Sequence, residues 1–245
     1  MKNLLYKILA IWALLIFAIT LLIVAIILVF LGPGKEPGKT TVFIKISKVW
    51  ISTFFFLTGC SIRIKGKENF QKGQVYIVTA NHNSFMDVLA LSPFVPGTNK
   101  TIAKAEMAKI PIFGMIYRRG SVLVNRKDKG SRSKSYMEMV HVLKLGIHMC
   151  IYPEGTRNRT NQPLKEFHDG AFKLAVETKT NIIPTVIFNS KNIIPADKGL
   201  YFKPGRVEMH FLPEVNYAEF SDSNELKQEV HRIMEEYILK NEKRN

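Results

Sequence analysis

Apolar and polar positions along the chain fall into two regimes. Residues 8–30 carry no charge, and 23 residues rising about 1.5 Å each span roughly 34 Å, enough to cross a hydrocarbon core. A cleaved secretory signal has a shorter apolar region of about 7 to 15 residues that ends at small side chains. This run is longer and ends in FLGPGK, so a retained anchor is expected. The next segment, residues 40–59, sets Lys45, Lys48 and Ser52 at helical spacing among Phe, Ile, Val and Trp50. It reads as an interfacial helix at head-group level, or as the second arm of a helical hairpin. A Gly and Pro cluster, GPGKEPG, separates the two.

After about residue 61 the pattern changes to short apolar runs alternating with amphipathic ones. Strands are predicted over 74–79, 121–125, 149–152, 182–188 and 206–212, all rich in Val, Ile, Tyr or Phe. Helices are predicted over 84–93, 108–117, 133–145, 170–178 and 224–240, the last with Leu226, Val230, Ile233 and Tyr237 on one face. Such alternation implies an α/β fold, a central mixed sheet flanked by helices, with residues 1–60 as a membrane-anchoring helical segment and 61–245 as the α/β domain.

Charge adds a partner class. A formal net charge of +15 on 245 residues favours anionic partners. Residues 97–134 hold ten Lys and Arg against Glu106 and Asp128, which beside an anchor points to a phospholipid bilayer. Nucleic acid is not expected, because no binding module and no interleaving of aromatic with basic residues is present. Lys35, Lys39, Lys45 and Lys48 outnumber Lys2 and Lys7, which places the chain beyond the first helix on the cytoplasmic side. The two cysteines, Cys60 and Cys150, fit neither a disulfide framework nor a zinc site, so no metal is expected.

Three stretches carry chemistry. In NHNSFMD, Ser84 and Asp87 match a capping box, and His82 stands just ahead of it, placed to act as a general base oriented by Asp87. The backbone N–H groups near Ser84 are candidate oxyanion donors. In YPEGTRNR, Pro153 and Gly155 force a turn after an apolar strand, Thr156 offers a hydroxyl and Arg157 a planar fork suited to phosphate. In GSVLVNR another strand ends at Arg126. Sites in open α/β sheets gather beyond the carboxyl ends of strands, so His82, Arg126 and Glu154, each following a strand, together with Pro184 in NIIPTVI, are expected to converge.

NHNSFMD, GSVLVNR, YPEGTRN and NIIPTVI, in this order, resemble the four motifs of the glycerolipid acyltransferases, specifically the 1-acyl-sn-glycerol-3-phosphate (lysophosphatidic acid) acyltransferases. The likeness implies acyl transfer from an acyl carrier protein or coenzyme A thioester, used as co-substrate with no further cofactor, to lysophosphatidic acid. His82 would be the catalytic base and Asp87 its partner; Arg126 with Glu154, Gly155, Thr156 and Arg157 would hold the acceptor phosphate; Pro184 would shape the acyl-donor side. The enzyme would work at the cell inner membrane, with its catalytic domain on the cytoplasmic face. No GxSxG elbow accompanies the histidine, so direct transfer without an acyl-enzyme is expected. The rival readings are an acyltransferase for another acceptor, glycerol 3-phosphate or another lysolipid; a membrane-anchored metal-dependent hydrolase built on His82, Asp87 and Glu154; and a lipid-binding protein without catalysis.

Overall fold

In the computed structural model, which describes residues 2–32, 34–125 and 127–242, the apolar run folds as one helix, α1 (Lys2–Phe30). The following segment is α2 (Gly38–Leu57), which turns back along α1 as the second arm of a hairpin. Trp50 Nε1 donates to Thr20 Oγ1 at 2.9 Å and Trp12 Nε1 to the Leu57 carbonyl at 3.0 Å, so the arms run antiparallel. Both helices are long and apolar enough to cross a membrane by length and composition.

The remaining elements are β1 (Ser61–Lys65), β2 (Ile77–Ala80), α3 (Phe85–Phe94), β3 (Asn99–Lys104), α4 (Phe113–Arg119), β4 (Ser121–Val124), α5 (Lys129–Lys144), β5 (His148–Ile151), α6 (Gly170–Thr178), β6 (Ile182–Phe188), α7 (Ser190–Ile193), β7 (Arg206–Phe211) and α8 (Ser223–Glu242). The seven strands form one sheet in the order β1-β7-β6-β2-β5-β3-β4. All neighbours pair parallel except β6 with β7, so the sheet is mixed, as expected.

Successive strand residues point to opposite faces, and the two faces have separate cores. Val78, Cys150, Ile183 and Ile187 face the hairpin and α3, while Ile77, Met149, Ile182 and Val186 face α5, α6 and α8. Ala13, Leu28, Trp50 and Ile51 of the hairpin belong to the same apolar cluster as Val78 and Phe211. Burying the Trp50 side chain against Phe17 and Thr20 of α1 contributes about 2–3 kcal/mol to holding the two arms together. Arg119 donates to the Leu28 and Gly32 carbonyls at 3.0 and 3.2 Å, closing the end of α1.

Two strands, the one-turn α7 and one longer helix differ from expectation. β1 reads SIRIK and lies at an edge with alternating exposure, so its charges hide the strand. β3 is an interior strand despite Lys100, whose ammonium pairs with Glu36 at 2.8 Å. The expected helix over 108–117 is a 3-10 turn, then Pro111, then α4, because proline cannot continue the helix. Lys100, Arg118 and Arg119 are thus engaged by a carboxylate or by carbonyls, which leaves fewer of the basic residues to meet lipid.

Candidate active site

β2, β3, β4, β5 and β6 run the same way, so the loops after β2 and β5 lie at one edge of the sheet. The loop after β2 is pinned first by Asn81: its Nδ2 donates to the Ile187 carbonyl at 3.0 Å, and the Ile187 N–H donates to its Oδ1 at 2.7 Å. The chain then enters α3 through the expected capping box. Met86 N–H donates to Ser84 Oγ at 3.1 Å, Ser84 N–H to Asp87 Oδ2 at 2.7 Å, and Ser84 Oγ–H to the Ile194 carbonyl at 2.6 Å.

The cap and the candidate catalytic pair turn out to be one arrangement. His82 Nδ1 lies 3.0 Å from Asp87 Oδ2, the oxygen that also accepts the Asn83 and Ser84 N–H groups at 2.6 and 2.7 Å. Asp87 is fully buried and its Oδ1 meets no protein donor. With Nδ1–H donating to the carboxylate, Nε2 is left as the lone-pair nitrogen. The Asn83 and Ser84 N–H groups are consumed by Asp87, so they are not the oxyanion donors that the sequence suggested.

The loop after β5 supplies the other wall. Gly155 adopts φ 72°, a left-handed conformation that favours glycine, and the turn closes through Gly155 N–H to the Tyr152 carbonyl at 3.0 Å. The Tyr152 ring stacks on His82 with centroids 4.4 Å apart and its hydroxyl donates to the Asp87 carbonyl at 2.9 Å. Burial first, then the Asp87 charge, hold the Tyr152 phenol well above its usual range, so it acts as a neutral donor. Arg157 lies over the Phe85 ring, 4.1 Å from its centroid, and Thr156 Oγ1 accepts from Lys165 Nζ at 2.6 Å. Burial, then the neighbouring Arg159, lower the Arg157 pKa, so an anion at this wall would relieve both penalties.

Glu154 does not join the anion-facing group. It is 1% exposed, and its oxygens accept the His82 N–H at 2.7 Å and the Lys165 N–H at 3.1 Å. Burial raises its pKa to about 7 against the pull of those two N–H donors. Pro184 sits inside β6 opposite Thr79, fully covered, and does not reach the cavity wall. Its carbonyl accepts from Leu212 N–H beyond the end of β7, so its missing N–H faces the side where the ladder has ended. Arg126 lies outside the described residues.

His82, Thr156, Arg157, Arg159 and Lys165 open onto a cavity of about 1030 Å³. Its mouth is cationic. Its apolar wall is built by Ala13 and Phe17 of α1, Phe43 and Trp50 of α2 and Ile116 of α4. Neither Tyr152, Lys165 nor the hairpin wall was legible as part of a site, because each enters it only through tertiary contact. Among the described residues no group of three or more His, Cys, Asp or Glu side chains is placed to hold a metal ion.

A family model described as Acyltransferase matches residues 61–188. The 1-acyl-sn-glycerol-3-phosphate acyltransferase alpha of Mus musculus is 28% identical over 181 residues, covering 73% of this chain and 63% of that protein. The chain thus spans a little less than two thirds of that relative's length. The 1-acyl-sn-glycerol-3-phosphate acyltransferase of Borreliella burgdorferi is 29% identical over 197 residues, covering 78% of this chain and 75% of that protein. The crystal structure of the 1-acyl-sn-glycerophosphate (LPA) acyltransferase PlsC from Thermotoga maritima has the same fold, with a TM-score of 0.85 at 24% identity, covering 99% of this chain and 98% of that one. Because the family model takes in just over half of the 245 residues, His82, Asp87 and the 154–157 turn among them, the chain belongs to the acyltransferase family.

Proposed function

We propose that this chain transfers an acyl group from an acyl thioester, carried by acyl carrier protein or coenzyme A, to the free sn-2 hydroxyl of 1-acyl-glycerol-3-phosphate, giving phosphatidic acid. The observation that carries the reading is that one cavity is lined by His82, by the cations Arg157, Arg159 and Lys165, and by the apolar side chains of the hairpin. A lysophosphatidic acid or an acyl thioester has the same division, one anionic end and one hydrocarbon end. The names of the relatives supply the acceptor class.

In this mechanism His82 Nε2 takes the proton of the acceptor hydroxyl as its oxygen attacks the thioester carbonyl carbon. The tetrahedral intermediate collapses with cleavage of the C–S bond, and the imidazolium returns the proton to the departing thiolate. Asp87 fixes the tautomer and offsets the positive charge that develops on the ring. Base catalysis of this kind contributes about a hundredfold to ten-thousandfold. Arg157 and Lys165, with Arg126 by its place in the motif, hold the phosphate, so binding energy far from the reacting oxygen positions it. The hairpin associates with the bilayer that supplies the acceptor, at the cytoplasmic face of the cell inner membrane.

The test is thiol release with lysophosphatidic acid and each of the two thioesters, using the purified full chain and His82→Ala. At least a hundredfold loss in the variant is expected. Equal rates with and without His82 would sink the proposal. Activity abolished by a chelator would favour the hydrolase reading, against which stands Glu154, whose oxygens are already engaged by backbone N–H groups.

A further inference from the structure

The 154–158 turn holds the backbone of His82 from both sides. Glu154 Oε1 accepts its N–H at 2.7 Å, and its carbonyl accepts the Asn158 N–H at 2.6 Å. The ring is fixed independently by Asp87 at Nδ1 and by the Tyr152 face. The second Glu154 oxygen accepts the Lys165 N–H at 3.1 Å, and the Lys165 ammonium reaches back to Thr156 in the same turn. One buried carboxylate therefore joins two segments that are far apart in the chain, one ending in the base and one in a cation at the cavity mouth. A carboxylate facing a phosphate would repel it, and Glu154, at 1% exposure, offers the cavity almost no surface.

We infer that Glu154 is a positioning residue, not a phosphate ligand: its carboxylate clamps the His82 backbone to the Lys165 backbone and so sets the distance between the base and the acceptor's anionic end. The inference rests on the proposed acyl transfer for its kinetic meaning, though the clamp itself is a matter of His82 geometry. A misplacement of about 1 Å at a reacting group costs on the order of a hundredfold in rate. The groups facing Glu154 are His82 from the β2 loop, Asp87 from α3 and Lys165 from the segment between β5 and α6. Because burial lifts the Glu154 pKa to about 7, protonation near neutrality turns one accepting oxygen into a hydroxyl and releases one N–H. The clamp thus loosens as pH falls.

The experiment uses the full chain in phospholipid nanodiscs, with wild type, Glu154→Gln and Glu154→Asp. Steady-state kinetics with lysophosphatidic acid and acyl-CoA are combined with diethyl pyrocarbonate labelling of His82, read by peptide mass spectrometry. Glu154→Gln presents an amide N–H₂ to one of the two N–H groups and cannot accept both. It is expected to lower kcat at least tenfold, to change acceptor KM less than about threefold and to label His82 faster. Glu154→Asp keeps the charge with a shorter reach and should label at an intermediate rate. The acid limb of the wild-type rate profile, to which Glu154 contributes near its pKa of about 7, should move in Glu154→Gln. A rise in acceptor KM with kcat intact would make Glu154 a phosphate ligand and overturn the inference, as would His82 labelling equal in all three proteins. If the wild type transfers no acyl group to lysophosphatidic acid while labelling still responds to Glu154, the functional reading fails and the clamp stands.

Discussion

Asp87→Asn isolates the charge at the centre of the site. A single oxygen, Oδ2, accepts the His82, Asn83 and Ser84 donors, while Oδ1 is buried without a partner. An asparagine can keep its carbonyl oxygen at the Oδ2 place and its amide nitrogen at the Oδ1 place. The loop geometry and the His82 tautomer then survive, and the negative charge does not. With charge centres about 4 Å apart and an effective dielectric of about 20, the imidazolium loses roughly 4 kcal/mol of stabilisation. The His82 side chain is 15% exposed, so solvent recovers part of this. The expected fall in kcat is on the order of a hundredfold to a thousandfold at nearly constant acceptor KM. The buried amide nitrogen costs about 1–3 kcal/mol of stability, so a thermal melt must accompany the kinetics. A folded Asp87→Asn protein that retains kcat within about threefold of wild type would refute the idea that Asp87 acts through its charge.

Arg157→Ala removes a guanidinium braced on Phe85 at the cavity mouth and should raise acceptor KM about tenfold to a hundredfold with kcat less affected. An unchanged KM would place the phosphate elsewhere. Ser84→Ala deletes both the helix cap and the bond to the Ile194 carbonyl, and should destabilise the fold by about 1–2 kcal/mol in denaturant titrations. His148 lies buried on β5, its Nδ1 accepting from Tyr76 N–H at 3.0 Å, and burial holds its pKa at about 4 against 6.5. The unfolded chain binds the additional proton between those values, so stability rises with pH across that window. The contribution is fully present above 6.5, is lost by 4, and amounts to about 3 kcal/mol. His148→Gln should flatten the pH dependence of thermal melting between pH 4 and 6.5; an unaltered slope would show that His148 is not the group responsible.

What was legible in the sequence was whatever a short segment decides by itself. The central strands β2, β5 and β6 are buried along their whole length and read as apolar runs, and the loops that follow β2 and β5 carry their motifs at the strand ends. β3 was hidden because the partners that make its polar residues tolerable, Glu36 for Lys100 and Ser121 for Thr101, are distant in the chain. In α8 the helix was legible and so was half of its buried face. Leu226, Val230, Met234 and Ile238 are covered, whereas Ile233 and Tyr237 lie at the margin, a rotation that only packing against α6 and β6 sets. Glu154 is the clearest case at the site. Its neighbours Thr156 and Arg157 face the cavity, and motif membership cannot reveal that the residue beside them turns inward to hold two N–H groups.

The hairpin makes binding and chemistry inseparable under the proposed reaction. Ala13, Phe17, Phe43 and Trp50 line the same cavity as His82, so the hairpin is also the wall of the proposed acyl site. Each methylene buried there yields about 0.8 kcal/mol, and an acyl chain can bury many. Spread equally over ground and transition states, that energy lowers KM alone. It raises kcat only if the buried chain holds the thioester carbonyl where Nε2 and the acceptor oxygen meet it. The rigidity required is what the shared core supplies, because the α1–α2 hairpin packs on the strand face beneath the His82 loop and shares its apolar cluster. A hairpin that served only to tether the chain to a bilayer would need neither that packing nor small residues such as Ala10 and Ala13 on the cavity wall.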